Sequence, residues 1–413
     1  MSSTPSPLKV TIVGGGVGGL SAAVALRQNG HIVQVFERLE SDIELGAALS
    51  LQENAMRVLR KIGVNRESLR PVYARGLVGF NAITGESREL LLVPKDAAPG
   101  PTDIALVHRS DLHEELKRIA LAPDGNGPPV LIKLGCKVVS CEPEAGVVLL
   151  DSGETISADL VIGADGLQSV IRSHVLGYVQ DAEPTGYACC RSVFDAAPMK
   201  DNPDFDWITK GVPGARAVPW KGAPFRMIFC YLCRNGELLN CAHFFQESDE
   251  DKQNLTSRTI TPAEVLPKFA GADPKFLRLF DLPNHNGEHY RWRLRAMPVL
   301  PTWFNGRTAI LGDAAHAMVP FMAQGAAMAI EDGAVLAGLL PLGTTPEQIP
   351  ARLAAWLDIR KPRAELMSKT SFAQIQATID GNHASVHFEE ARVNLMSYDA
   401  LQTGKDAYQK LFA

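Results

Sequence analysis

The sequence predicts an α/β fold in three parts: a discontinuous domain around a parallel sheet, a second domain built on a β-sheet, and a C-terminal helical segment. Three observations predict it. The apolar run Lys9 to Val13 ends in the cluster Gly14, Gly15, Gly16, Gly18 and Gly19, and the helix-compatible Leu20 to Leu26 follows. Two further apolar runs, Leu160 to Gly163 and Thr308 to Leu311, lead into the turns Asp165-Gly166 and Gly312-Asp313, although a long segment separates them. Most of that segment, from about Gly177 to His289, consists of aromatic and β-branched runs with Pro-containing turns, such as Phe225 to Leu232 and Leu238 to Phe245. A chain that leaves its first domain and later returns makes that domain discontinuous. The boundaries read as 8–72, 101–176 and 290–345 for the first domain, 73–100 and 177–289 for the second, and 346–413 for the helical segment. The total of 413 residues agrees with roughly 150 residues per domain.

Taken in order, each element has a local reason. Gly30 closes the first helix, and Ile32, Val33, Val35 and Phe36 form a second buried-type strand ending at Glu37, which completes a β-turn-α-β unit. Asn54 to Ile62 reads as an amphipathic helix, and Tyr73 to Val93 alternates as a hairpin turning at Thr84 and Gly85. Asp111 to Ala120 reads as a helix capped by Ser110. The Gly- and Pro-rich stretch Ala122 to Pro129 is a surface loop, followed by short strands around Ile132, Val138 and Val147 to Leu150. A small-residue helix starts at Gly325 and a charged helical tail runs from Pro350. No internal repeat is visible.

Hydrophobic residues make up 46% of the chain and charged residues 21%, the balance of a folded globule rather than of a disordered or low-complexity chain. Acidic residues outnumber basic ones, 46 to 41, and no basic run tracks a phosphate backbone, so nucleic acid is not an expected partner. Met1 to Pro7 lacks the apolar core of a signal peptide, and the most apolar stretch, Ala326 to Leu342, is interrupted by Glu331 and Asp332, so no membrane span is expected. The 7 cysteines suit a reducing compartment, and the cytoplasm is the expected location.

Gly14-x-Gly16-x-x-Gly19 follows a strand and opens a helix, so each glycine has its own use, respectively a tight turn, close approach of a pyrophosphate, and packing of helix on sheet. Glu37 ends the next strand, where its carboxylate can accept hydrogen bonds from a ribose 2′-OH. The pattern predicts a dinucleotide site of Rossmann type. It does not separate NAD from FAD, and that decision rests on two distant segments.

The first is Asp159-Leu-Val-Ile-Gly-Ala-Asp165-Gly166-Leu-Gln-Ser169-Val-Ile-Arg172, a buried strand leading to an acidic turn and a new helix. The second is Gly306-Arg307-Thr-Ala-Ile-Leu-Gly312-Asp313-Ala-Ala-His316, where Gly admits a cofactor close to the backbone and the carboxylate can accept a ribityl hydroxyl. Together they resemble the DG and GD fingerprints of the class A, single-component FAD-dependent aromatic hydroxylases, whose fold is like that of 4-hydroxybenzoate hydroxylase. Val107-His108-Arg109-Ser110-Asp111-Leu112 is similar to the family's arginine segment beside the flavin, and Pro320-Phe-Met-Ala-Gln324-Gly325-Ala-Ala-Met-Ala-Ile-Glu331-Asp332 extends the likeness. Many members have Gly where this chain has Ala323. The Met-Ala-Gln-Gly-Ala form and Pro298-x-x-Pro-x-Trp303 resemble the salicylate hydroxylase branch.

The resemblance implies an FAD-dependent monooxygenase that hydroxylates a small phenolic molecule with NAD(P)H and O2 as co-substrates, through a flavin C4a-hydroperoxide kept from water in a closed pocket between the domains. No second GxGxxG exists, so NAD(P)H is expected to bind transiently. The implied cofactor-binding residues are Gly14, Gly16, Val17, Gly18, Gly19, Glu37, Arg38, Gly46, Ala47, Arg109, Val138, Asp165, Gly166, Gly312, Asp313, Pro320, Gly325 and Ala326. A helix starting at Gly325 presents its positive end to the docked group, and reduced flavin is negative near N1 and O2.

The hairpin Phe225 to Phe245 is expected to line the substrate pocket, which makes Tyr231, His243 and Arg226 the catalytic candidates. Tyr231 and His243 can hydrogen-bond or deprotonate a phenol, and Arg226 can pair with a carboxylate. Each competes with an ordinary place in a sheet, where half the side chains point outward. Cys230-x-x-Cys233 and Cys189-Cys190 read as structural thiols, with no zinc-type partner pair, and no metal is expected. His316 reads as structural, and Arg360, Lys361 and Arg363 as a solvated helix face. The alternatives are a flavin-dependent epoxidase or oxidase of a larger natural product, and a non-enzymatic binder of the GDI type, against which Gly312 and Asp313 argue. A halogenase is disfavoured, because Arg291-Trp292-Arg293-Leu294 does not supply the Trp-x-Trp-x-Ile-Pro signature.

Overall fold

The computed structural model describes residues 5–40, 48–91, 104–253, 258–381 and 395–413. The first sheet has six strands in the order Phe304–Asn305, Thr308–Ile310, Leu160–Gly163, Lys9–Val13, Ile32–Phe36 and Leu131–Lys133. All but the first pairing are parallel. Leu160–Gly163 is buried at every residue, which explains its unbroken apolar run: a parallel strand covered on both faces has no polar side to show.

Helix Val17–Gln28 follows the first strand and packs on helix Gly325–Leu339. The two approach so closely that a Cβ on Gly333 would come within 2.8 Å of the Ala22 Cα, which is why both helices are built from small residues. From Ala327 onward Gly325–Leu339 is buried on all sides, so it needs no polar face.

The second sheet has eight strands, ordered Arg258–Ile260, His289–Ala296, Glu183–Asp195, Leu238–Gln246, Arg226–Cys233, Gly214–Pro219, Gly76–Phe80 and Ser87–Leu91. Strand His289–Ala296 pairs with Glu183–Asp195, so the return to the first domain falls after Ala296 rather than at residue 290. Composition gave no sign of this, because the boundary is set by strand pairing. One face of the sheet presents Ile228, Cys230, Leu239, Cys241 and Phe245 to a layer of short helices carrying Phe205, Phe269 and Phe276. The other face meets the first domain and the C-terminal segment: Tyr231 and Leu238 cluster with Ala48 and Leu106, and Phe244 with Phe321 and with Ile375 of the tail.

The two domains are also tied at the hairpin turn, where Arg234 Nη2 donates to Asp111 Oδ1 at 2.8 Å and to Ser110 Oγ at 3.0 Å. Ser110 is therefore not the cap expected of it; helix Arg109–Leu121 begins two residues earlier than expected, with His108 at its N-cap position and no side-chain cap bond. In the tail, helix Ile349–Asp380 is 32 residues long, and helix Ala400–Phe412 crosses Gly325–Leu339 at Gly338 and Gly404. The solvated face expected at residues 360 to 363 is corrected: Arg360 is 0% exposed. Among the described residues no helix is long and apolar enough to cross a membrane.

Candidate active site

The glycine loop is built by backbone crowding. Gly14 has φ +104°, and a Cβ there would lie 2.3 Å from the Ala164 carbonyl oxygen; a Cβ on Gly19 would lie 2.1 Å from the Gly14 oxygen. Over Gly16 the nearest atom is Arg109 Nη2, at 3.8 Å, so the loop stays open beside a cation. Helix Val17–Gln28 has no side-chain cap bond and no acidic residue in its first turn, which leaves its leading N–H groups for a phosphate. Glu37 stands at the loop as expected. Its Oε2 accepts the Gly15 N–H at 2.8 Å and its Oε1 the Leu39 N–H at 3.0 Å. Arg38, exposed, is next to it, and Val138 lies two residues past Cys136, whose N–H donates to the Glu37 oxygen at 2.8 Å. Gly46 and Ala47 lie outside the described residues.

Asp165 and Asp313, alike in sequence as members of Asp-Gly and Gly-Asp turns, act differently. Asp165 turns inward: Oδ1 accepts from Ser169 Oγ at 2.6 Å and Oδ2 from the Val170 N–H at 2.8 Å. It organises the turn at Gly166 and the start of helix Val170–Leu176 rather than presenting a free carboxylate. Asp313 is exposed and has no hydrogen bond or ion pair among the described residues, as a ribityl-binding carboxylate requires. Arg172, 1% exposed, ties the two turns together by donating to the carbonyls of Leu167 and Ala314.

Past Pro320 the chain makes one turn, places Ala323 at φ +52°, and enters helix Gly325–Leu339. Gly325 and Ala326 are half-buried, and no atom lies within 4 Å of where a Cβ on Gly325 would be. Gln324 is 1% exposed and accepts from Asn54 Nδ2 at 3.0 Å, while its own Nε2 is a buried donor with no partner. An open helix N-terminus beside an unsatisfied buried donor fits the electron-rich edge of an isoalloxazine ring. The residues present therefore suit FAD along its length: the glycine loop and Arg109 for the pyrophosphate, Glu37 for the ribose, Asp313 for the ribityl chain, Gln324 and Gly325 for the ring.

Sequence reasoning missed the buried network behind this site. Arg360 donates to Glu331 Oε2 at 2.6 Å and to Asp332 Oδ1 at 2.8 Å, and Arg363 donates to Glu331 Oε2 at 2.7 Å. Glu331 Oε1 also accepts from Asn54 at 2.7 Å. The signal was present, since two adjacent acids in an otherwise apolar helix require buried partners.

The catalytic candidates do not converge. In the register, Tyr231 opposes Asn240 and His243 opposes Ile228, which puts Tyr231 on the face toward the first domain and His243 on the opposite one. His243 is 0% exposed and stacked on Phe280, with ring centroids 4.7 Å apart. Arg226 also faces the helix layer, lying over the Trp220 ring at 5.5 Å. The shared pocket expected for Tyr231 and His243 is thereby corrected; a hairpin brings strands together but parity decides the face. Cys230 and Cys233 likewise fall on opposite faces, as read from their spacing.

A glycine-loop parallel sheet, a Gly-Asp turn on a distant strand and a second, eight-stranded sheet packed against them are the arrangement of a flavoprotein. The chain belongs to the family described as FAD binding domain, whose model matches residues 7–371. It is 36% identical over 412 residues to hispidin-3-hydroxylase of Neonothopanus nambi, covering 97% of this chain and 96% of that one. It is 31% identical to 3-hydroxybenzoate 6-hydroxylase of Klebsiella oxytoca, covering 80% of this chain and 79% of the relative. Its fold is that of a salicylate hydroxylase substrate complex, with TM-score 0.77 at 23% identity over 99% of this chain and 100% of that one. The protein is thus a class A FAD-dependent aromatic hydroxylase, an enzyme rather than a GDI-like binder.

Proposed function

We propose that this enzyme hydroxylates a small aromatic molecule that already carries a ring hydroxyl, with NAD(P)H and O2 as co-substrates. One observation carries the reading. Phe321, adjacent to Pro320 in the turn that leads to the flavin helix, packs its ring 4.9 Å from that of Phe244 and 5.3 Å from that of Phe225. The cofactor segment and the substrate sheet thus share one aromatic wall, against which a flat ring would be held. The names of the relatives, a hispidin and a 3-hydroxybenzoate hydroxylase, support the same substrate class.

Held by the glycine loop, Arg109, Glu37, Asp313 and the Gly325 helix start, FAD would supply hydride acceptance from NAD(P)H and activation of O2. The chain's own residues do the rest. Phe229, Phe244 and Phe321 exclude water and fix the plane of the ring. Tyr231, 5% exposed, keeps its proton, because burial raises its pKa well above the ordinary value, and can orient a ring oxygen by donating to it.

The test is a panel of phenols, hydroxybenzoates and hispidin scored by NAD(P)H consumption and by mass gain of the organic product. The reading expects a phenolic member both to accelerate oxidation and to gain one oxygen. Stimulated oxidation with H2O2 and dehydrogenated product would instead identify an oxidase, and no stimulation by any member would set the phenol class aside.

A further inference from the structure

We propose that the substrate binds as a ring oxyanion paired with Arg191, which makes Arg191 the specificity-determining cation of the site; this rests on the aromatic-ring reading above. Arg191 lies at the centre of strand Glu183–Asp195, opposite Ala242 on one neighbouring strand and Tyr290 on the other. Ala242 in turn opposes Phe229. On the face turned to the first domain the row therefore runs Tyr290, Arg191, Ala242, Phe229, and the same-face neighbours of Ala242 along its own strand are Asn240 and Phe244. Ala242, 4% exposed, is the smallest side chain in this patch, and the Arg191 guanidinium and the Phe229 ring are the larger groups on either side of it.

The burial pattern marks the same spot. Residues 188–190 and 192–194 are buried, and Arg191 between them is only half-buried. Met227 and Phe229 are likewise half-buried on a strand whose neighbours Ile228, Cys230 and Tyr231 are buried. Access to this face thus runs to the middle of the sheet, at Arg191.

Among the described residues three polar groups around the spot can donate, while the Tyr290 hydroxyl at the end of the row is taken up by the exposed Glu288 at 2.8 Å. Arg191 has no carboxylate partner among the described residues. Tyr231, on the same face, is kept protonated by burial against the opposing pull of the Arg191 charge, and makes no side-chain hydrogen bond among the described residues. Asn240 Oδ1 is occupied by the Ala48 N–H at 3.2 Å, which leaves its amide N–H groups. Among the described residues no base stands opposite them: His243 is on the other face, and burial pushes the Cys189 thiol up to about 12. A site of three donors and no base matches an acceptor that arrives already ionised. A phenolate is also the electron-rich form that electrophilic oxygen attacks, so holding the anion does the work a general base would otherwise do.

The experiment measures affinity for the FAD-loaded enzyme by equilibrium dialysis at pH 7.5, with pentafluorophenol, which is ionised, its neutral methyl ether, and pentafluorobenzoate. FAD content per chain reports that each variant is folded. Wild type is expected to prefer the phenolate to the ether, and Arg191→Gln to weaken the phenolate by about ten- to hundredfold while leaving the ether within about twofold. Arg191→Lys is expected to recover part of the loss, since it keeps the charge and lacks the planar fork. Equal weakening of phenolate and ether, no preference in wild type, or an Arg191-dependent preference for the benzoate over the phenolate would each overturn the proposal. The substrate panel separates the two readings. If Arg191→Gln hydroxylates a phenol with unchanged KM, the oxyanion pairing fails and the hydroxylase reading stands; if no phenol is turned over by wild type, the broader reading fails.

Discussion

Asp332 and His316 are joined by a 2.7 Å hydrogen bond between Oδ2 and ring Nε2, and the same carboxylate oxygen accepts the Gly312 N–H at 3.0 Å. A carboxylate inside one helix thus holds the turn whose next residue is the exposed Asp313. Burial alone would raise the Asp332 carboxyl, but the facing His316 and Arg360 hold it down at about 2. The site is therefore braced from behind by charge, and the brace runs on through Arg360 into the C-terminal segment.

Replacing Arg360 with Met tests that brace. The change leaves Glu331 and Asp332, both 0% exposed, without their shared cation. Breaking a buried pair from one side costs about 3–5 kcal/mol, because the remaining charge cannot reach water. Urea unfolding of Arg360→Met is expected to show a loss of that size. Arg363→Met should lose less, since Arg363 keeps 16% of its side chain exposed and serves only Glu331 among the two acids. A cost below about 1 kcal/mol for Arg360→Met would mean that the network does not hold the fold.

Asp313→Ala separates cofactor binding from folding. Asp313 is exposed and unbonded among the described residues, so its removal is expected to shift stability of the flavin-free protein by no more than about 0.5 kcal/mol. Losing a carboxylate that accepts a ribityl hydroxyl should weaken FAD by roughly tenfold, the worth of one charge-assisted hydrogen bond. Unchanged FAD affinity in a dialysis titration would remove Asp313 from the cofactor site.

The cofactor site was legible because its requirements are local. Gly14 is demanded by its own φ of +104°, Gly19 by the Gly14 oxygen inside the same loop and Gly312-Asp313 by a single turn, so each leaves a mark within a few residues, although Gly14 is also crowded from afar by Ala164. The face proposed for the substrate was not, because its residues are chosen by sheet parity. Arg191 and Tyr231 come to one face only through the pairings of Arg191 with Ala242 and of Tyr231 with Asn240, and nothing near either residue announces those registers. His243 looked like a base for the same reason: the residue type was right and the face was invisible. Asp165 was half legible, in that its turn was recognised while its carboxylate proved to cap a helix.

Ala323→Gly tests the one departure from the family pattern noted in the sequence. Ala323 adopts φ +52° and ψ +35°, the left-handed region, which a side chain occupies at a cost of about 1 kcal/mol or more and glycine does not. Glycine gives back part of the gain through the entropy of the unfolded chain. The net expectation is a stabilisation of about 0.5 kcal/mol, read as a small rise in Tm, with FAD affinity retained. A fall in Tm would show that contacts of the Ala323 methyl outweigh its backbone strain.

The last test concerns His243 and acid. Burial, with a smaller contribution from His289, lowers the His243 pKa from 6.5 to about 3. In the unfolded chain the ring returns to about 6.5. Between those values the unfolded state binds a proton that the folded state refuses, so stability is intact above about pH 6.5 and falls as the pH drops toward about 3, by up to about 1.4 kcal/mol per unit. Phe fits the position, since the ring already stacks on Phe280 and packs edge-on to Phe269. His243→Phe is therefore expected to bind FAD normally at pH 7.5 and to show a shallower loss of stability between pH 6 and 4, measured by urea midpoints at each pH. His289, whose pKa burial also lowers, sets the slope that remains. If the variant loses stability with acid as steeply as wild type, His243 is not the group that the folded protein keeps neutral. If instead it loses hydroxylation at pH 7.5 while folded and FAD-loaded, the ring acts through the sheet on the substrate face, and its role as packing is wrong.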